Sequence, residues 1–156
     1  MNDNAKCKFL QDYPAKFNFI VPNYVKIKPM TDTELFRLAV GAGEGAYAPY
    51  SGYMVGAALL TADGRIYTGA NVENSSYPAG ICAERVAVAK AVTDGNREFS
   101  AIAVAAPGTG GPAWPCGVCR QFLFEFGGGL RVISGPDEER LEAYTLDELL
   151  PNGFRL

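Results

Sequence analysis

Two short cysteine-bearing stretches constrain this chain more than anything else in it. They are Cys82-Ala83-Glu84-Arg85 and Pro115-Cys116-Gly117-Val118-Cys119-Arg120-Gln121. Each runs into an apolar, helix-like segment, so each places thiols at a helix start. Cys116 and Cys119 are three residues apart and share a face on a first helical turn. Two sulfurs so placed can reach one ion at about 2.3 Å. A helix N-terminus carries unpaired N–H groups and partial positive charge, which favours thiolate, the form that binds zinc. A lone CxxC also suits a redox dithiol or a structural metal knuckle. Cys82 shifts the balance by supplying a third thiolate. Three ligands leave the fourth tetrahedral position open, which separates catalytic from structural zinc.

Glu84 lies two residues beyond Cys82. In mid-helix that spacing would turn it to another face, but a first-turn side chain can border the space beyond the helix end. There it would pass protons between a water and a substrate. Arg85, three after Cys82, shares the face of that cysteine. Three thiolates on Zn²⁺ leave a net charge of −1, which Arg85 and the two helix N-termini would offset. The competing arrangement is a closed site with Cys7 as the fourth sulfur. It leaves Glu84 without a task and draws a ligand from a remote, irregular stretch.

Composition narrows the field. A chain of 156 residues fits one domain with a real core. The sequence contains no histidine, so proton transfer falls to a carboxylate, Lys, Tyr or Cys. The net charge of −3 comes without the basic stripe of a polynucleotide binder. No run approaches the ~20 apolar residues of a membrane span. Nothing resembles a secretory signal, which points to a reducing cytoplasm, where thiols more often bind metals or react than form disulfides. Residues 1–30 hold five lysines and two aspartates and five spread aromatics. They read as an N-terminal arm, packed or solvated, with a possible extended piece over 17–27. Residues 31–156 read as the domain.

Along that domain, Thr31-Asp32-Thr33-Glu34 is a capping box, opening a helix that Ala48-Pro49 would end. Residues 54–61 and 65–72 make two strands around the Asp63-Gly64 turn. Residues 82–93 form a helix apolar nearly all round, hence buried. A strand at 101–106, a helix at 117–126 and a strand at 130–133 follow. Thr145-Leu146-Asp147-Glu148 caps a last short helix. Helix, hairpin, then alternating helix and strand argue a three-layer α/β domain. Asn71 and Glu73, two apart at a strand end, point to one side and suit gripping hydroxyls. Tyr53 enters the first strand and can pack or stack on a flat ring.

Together these stretches resemble the homotetrameric cytidine deaminases. The matching text is Ala46-Tyr47-Ala48-Pro49-Tyr50-Ser51, Val55-Gly56-Ala57-Ala58-Leu59, Asn71-Val72-Glu73-Asn74, the two cysteine stretches, and Leu149-Leu150-Pro151 with Phe154. The resemblance runs from about residue 31 to the end. It implies a three-layer α/β/α fold with a central mixed sheet of about five strands. It also implies zinc-dependent hydrolysis of cytidine and deoxycytidine to the uridine forms, within pyrimidine salvage, with release of ammonia. Cys82, Cys116 and Cys119 would hold one zinc per subunit, and water activated there would attack C4. Glu84 would protonate N3 and then the leaving amine. The Ala83 backbone would bind the base, and Asn71 and Glu73 the ribose 3′-hydroxyl. Tyr53 would pack beside the base, where the family usually has Phe. Tyr50 and Phe154 would lie at subunit contacts, with Phe154 reaching a neighbour's site in a homotetramer. Trp114 stands where the family often has a small hydroxyl residue. Two other readings compete: deamination of a modified cytosine nucleoside, and a non-catalytic zinc-containing cytidine-binding module. The intact Asn71-Val72-Glu73 pattern opposes the first, and turnover of cytidine would dismiss the second.

Overall fold

Helix starts are set by local chemistry in this chain. The computed structural model describes residues 30–156; the expected arm, apart from Met30, and Cys7 lie outside them. Thr31 and Thr145 each close a full capping box, opening α1 (Asp32–Gly43) and α4 (Leu146–Leu149). Between them run β1 (Gly56–Thr61), β2 (Ile66–Ala70), a 3₁₀ turn (Tyr77–Ala79), α2 (Ala83–Thr93), β3 (Phe99–Ala105), α3 (Gly117–Phe124), β4 (Arg131–Ser134) and β5 (Glu142–Thr145). The five strands form one mixed sheet in the order β2-β1-β3-β4-β5. Only β3 and β4 are parallel.

Strand periodicity divides the core into two. Ala57 and Leu59 of β1 point to one face, with Ile102, Val104 and Val132, beneath the buried Ala87, Val88 and Leu123 of α2 and α3. Ala58 points to the other, with Ala101, Ala103, Ala105 and Ile133, beneath Leu35, Phe36 and Ala39 of α1. Alternation of successive side chains across the sheet produces this split. The result is the expected α/β/α sandwich, with both cysteine-bearing helices in the same layer.

The structure shifts several expected boundaries. α1 stops at Gly43 rather than at Ala48-Pro49. Its last turn dissolves into turns in which Glu44, Gly45 and Ala46 donate back to Gly41, Ala42 and Gly43, and Tyr47 then bridges to Val72. β1 begins at Gly56, not Met54, so Tyr53 precedes the strand and is partly exposed. Asp63-Gly64 does turn the hairpin, through a three-residue loop closed by Thr61 N–H donating to the Arg65 carbonyl at 2.9 Å. Gly64 takes φ +87° there, the left-handed position such loops require.

Gly69 decides how deeply α2 beds on the sheet. A Cβ at that position would stand 2.4 Å from the Ala83 carbonyl and 2.7 Å from the Ala87 amide. The first turn of α2 therefore rests on bare backbone of β2, which fixes the height of Cys82 and Glu84 above the sheet. Gly69→Val has no flexible neighbour to push aside. Overpacking costs about 1–3 kcal/mol, and 3 kcal/mol corresponds to a fall in Tm of roughly 6–12 °C for a chain this size. Thermal unfolding that matched the wild type would show that α2 is free to ride higher.

Candidate active site and metal centre

The two helices that carry sulfur lack side-chain caps. Cys82 is the N-cap of α2 and Cys116 the N-cap of α3, both in extended backbone, and neither side chain makes a cap hydrogen bond. N-caps favour Ser, Thr, Asp or Asn, and losing that bond costs about 1 kcal/mol. Here the side chain is left for another partner. Cys119, in the first turn of α3, is fully buried. The three sulfurs lie within 4.8 Å of one another. Tetrahedral ligation at about 2.3 Å needs roughly 3.8 Å between sulfurs, so a small contraction closes them on an ion.

The electrostatics fit the same conclusion. The Cys82 thiol is held down at about 5, first by a hydrogen bond from Cys119 and then by Arg85, against the opposing effect of burial. Cys119 is pushed up, chiefly by Cys82 beside it and then by burial. Three crowded thiols cannot all ionise unaided, so the donor set calls for a cation. Arg85 Nη2 lies 3.7 Å from Cys82 Sγ and donates to the Gly80 carbonyl at 3.4 Å. It stands beside the sulfurs as the charge argument requires. Glu84 is only 3% exposed. Burial pushes its carboxyl up, the Cys82 thiolate adds to that, and a hydrogen bond from Cys119 opposes it. The first turn of α2 therefore brings the one buried carboxylate among the described residues to the sulfur cluster, as a first-turn position permits.

The loop ahead of Cys116 is pinned from below. Ala113 N–H donates to Ser134 Oγ at 2.8 Å, and that buried hydroxyl donates to the Val104 carbonyl at 2.9 Å. Trp114 packs edge-on against Tyr144 of β5.

A cavity of about 480 Å³ opens beside Cys82 and Arg85, walled by Asn71, Glu73, Tyr50 and Tyr77. Its wall is built largely by the two polar residues. Asn71 Oδ1 accepts from Val55 N–H at 2.8 Å and its Nδ2 donates to the Tyr53 carbonyl at 2.9 Å. Glu73 accepts from the Tyr50 and Ser51 amides at 2.9 and 3.2 Å, and from the Ser51 hydroxyl. Those bonds, the Ser51 hydroxyl foremost, hold the Glu73 carboxyl below its ordinary value. One N–H of Asn71 and lone pairs on Glu73 remain for a ligand. Tyr53 lies partly exposed next to this wall. Phe154 does not line the cavity of its own chain: it is 64% exposed, and its carbonyl accepts from Gln121 Nε2 of α3 at 2.8 Å. Two contributors escaped the sequence reading. Ser51 braces Glu73, and Tyr77 stands edge-on to Tyr50 at 6.4 Å. Short-range spacing carries no sign of either, because their partners lie more than 20 residues away.

Known proteins resemble this chain in sequence and fold. A profile for the cytidine and deoxycytidylate deaminase zinc-binding region matches residues 29–134. The chain belongs to the cytidine deaminase family. The cytidine deaminase of Sporosarcina psychrophila is 51% identical over 114 residues, 72% of this chain and 83% of that protein. The one from Mycobacterium tuberculosis is 44% identical over 129 residues, 82% and 93% of the two chains. A crystal structure of the Burkholderia pseudomallei cytidine deaminase, 45% identical, superposes with a TM-score of 0.76 over 80% of this chain and all of that one. Family membership and the sulfur cluster together identify zinc as the metal of this site. No helix among the described residues is long and apolar enough to cross a membrane.

Arg85→Gln removes a side-chain cation that lies beside the sulfurs. The acid limb of the kcat/KM profile should move to higher pH, because water at a more negative centre is harder to ionise. An unmoved limb would separate Arg85 from the charge balance.

Proposed function

We propose that this chain hydrolyses the 4-amino group of cytidine and deoxycytidine, yielding the uridine forms and ammonia in pyrimidine salvage. One observation carries the reading: three sulfurs at the starts of two helices converge within 4.8 Å, beside a buried glutamate. Zinc held by these three sulfurs would supply Lewis acidity and lower the pKa of water.

The chain's own residues do the rest. Cys82, Cys116 and Cys119 would hold the metal, and Cys82 also lines the cavity. Glu84 accepts a proton from the attacking water through a carboxylate oxygen and delivers it to N3 as the new bond to C4 forms. Glu84 then carries the remaining hydroxyl proton to the 4-amino nitrogen. The C4–N bond breaks, ammonia leaves, and N3 keeps its proton in the product. Ala83 is the first residue of α2, where helix geometry leaves an N–H without an intrahelical acceptor; it holds the base. Asn71 and Glu73 take the ribose hydroxyl with the capacity the wall leaves them, and Tyr53 packs beside the ring. Burial supports the role of Glu84, because it pushes the carboxyl above its ordinary value, which makes the group a readier proton carrier.

Assembly completes the reading. Phe154 and Tyr50 are exposed in the single chain, which fits a homotetramer in which Phe154 reaches a neighbour's cavity. Residues 31–156 form the catalytic domain, residues 1–30 an extension to it, and the enzyme works in the cytoplasm. Cytidine mixed with the purified protein should lose its ultraviolet absorbance at one ammonia per uridine formed, and native mass should read four chains. Cytidine left intact would overturn the catalytic reading, and a monomeric mass would overturn the composite site alone.

A further inference from the structure

The residue after the buried zinc ligand does something the metal chemistry does not call for. Arg120 turns its side chain back along α3. Its Nε donates to the Pro115 carbonyl at 2.8 Å and its Nη1 to the Leu149 carbonyl at 2.7 Å. None of the ion pairs among the described residues involves Arg120; its fork serves two main-chain oxygens instead. Both are informative positions. Pro115 is fully buried and immediately precedes the ligand Cys116. Leu149 is the last residue of α4, whose final carbonyls have no partner within the helix. A guanidinium serves such oxygens well, because its bonds are charge-assisted and its planar fork spans two acceptors.

Beyond α4 the chain reverses. Asn152 takes φ +63°, Gly153 N–H donates to the Leu150 carbonyl at 3.0 Å, and Gly153 lies so close to the Phe124 ring that a Cβ would come within 2.7 Å of it. The next residue, Phe154, is tied to α3 by Gln121. Three consecutive residues of α3 thus face three tasks: Cys119 the metal, Arg120 the Cys116 loop and the end of α4, Gln121 the tail.

We infer that Arg120 is a positioning residue that couples metal binding at Cys116 and Cys119 to the placement of the C-terminal segment 150–156. The inference rests on the zinc reading above. Zinc on the two α3 cysteines fixes the Pro115–Cys116 backbone, and Arg120 transmits that to Leu149 and the tail. Coupling of this kind is reciprocal: the bonded tail in turn tightens binding of the metal.

The test uses the zinc-loaded full-length chain, with Arg120→Gln and Arg120→Lys beside it. Two readouts are taken: the rate of zinc release to a chelator, and amide hydrogen exchange over 150–156 with α1 as the internal reference. Outer partners of metal ligands typically contribute 10–100-fold to metal affinity. Zinc release from Arg120→Gln should therefore quicken at least tenfold, and Arg120→Lys, able to serve one carbonyl, should recover part of that. Exchange over 150–156 should rise in Arg120→Gln and also in the wild type stripped of zinc, with α1 unchanged in both. Unaltered zinc release, or exchange that rises equally in α1 and the tail, would overturn the coupling. The zinc-stripped wild type keeps the test decisive if the variants fold poorly, since a tail indifferent to the metal also overturns it. A wild type that binds no zinc at all would instead defeat the metal reading beneath it.

Discussion

Glu84→Gln should cut kcat for cytidine by more than about 100-fold, the usual loss for a positioned acid–base group, while zinc content stays at one per chain. The substitution is nearly isosteric and keeps the hydrogen-bonding shape of the side chain at the second position of α2. It removes only the ability to take up and release a proton. No substitute stands by, because Glu84 is the one buried carboxylate among the described residues and the sequence has no histidine. Glu73, the carboxylate of the cavity wall, is held low by the Ser51 hydroxyl and two backbone amides, and so is a poor proton donor near neutrality. Substrate binding should survive in the variant, since the wall formed by Asn71 and Glu73 does not pass through Glu84. Uridine formation within tenfold of wild type would remove Glu84 from the proton path, and loss of zinc would show that it supports the metal instead.

The cysteines were legible because both start helices, and a helix start is written locally: Cys82 and Cys116 stand directly before apolar segments. Cys119 followed from helical spacing alone. Glu84 was harder. Spacing in mid-helix would have sent it elsewhere, and only its place in the first turn, above a glycine in β2, lets it meet the sulfurs. The packing at Gly69 depends on a strand 14 residues upstream, which local pattern does not report. β5 left no pattern. Glu142-Ala143-Tyr144-Thr145 is a four-residue edge strand with its first three residues exposed, so it lacks the alternation that marks a half-buried strand. The end of α1 was misplaced because proline at 49 is a strong stop signal, while the real stop is a series of turns after Gly43. Asn71 and Glu73 were identified by type. Their backbone partners at Tyr50, Ser51, Tyr53 and Val55 come from another part of the chain, and those bonds make the residues builders of the cavity wall.

Cys119→Ser should abolish zinc binding and lower thermal stability in one step. Of the three clustered cysteines, Cys119 alone is fully buried. A serine there offers zinc a poor ligand and leaves a hydroxyl in a dry site, which costs about 1–3 kcal/mol unless it is hydrogen-bonded. Loss of the metal adds a second term. A ligand that binds only the folded chain stabilises it by about 4 kcal/mol at a thousandfold excess over its Kd. The wild-type Tm should therefore climb with added zinc and drop with chelator, whereas the Tm of Cys119→Ser should ignore both. Cys116→Ser makes the informative contrast, because that side chain is exposed and carries no burial penalty. It should lose zinc-dependent stability yet match the chelated wild type, and Cys119→Ser should fall below it. The order follows from burial alone. A Cys119→Ser protein that still took up one zinc per chain and kept its zinc-dependent Tm would mean that the metal is held elsewhere, and the convergence of the three sulfurs would lose its meaning.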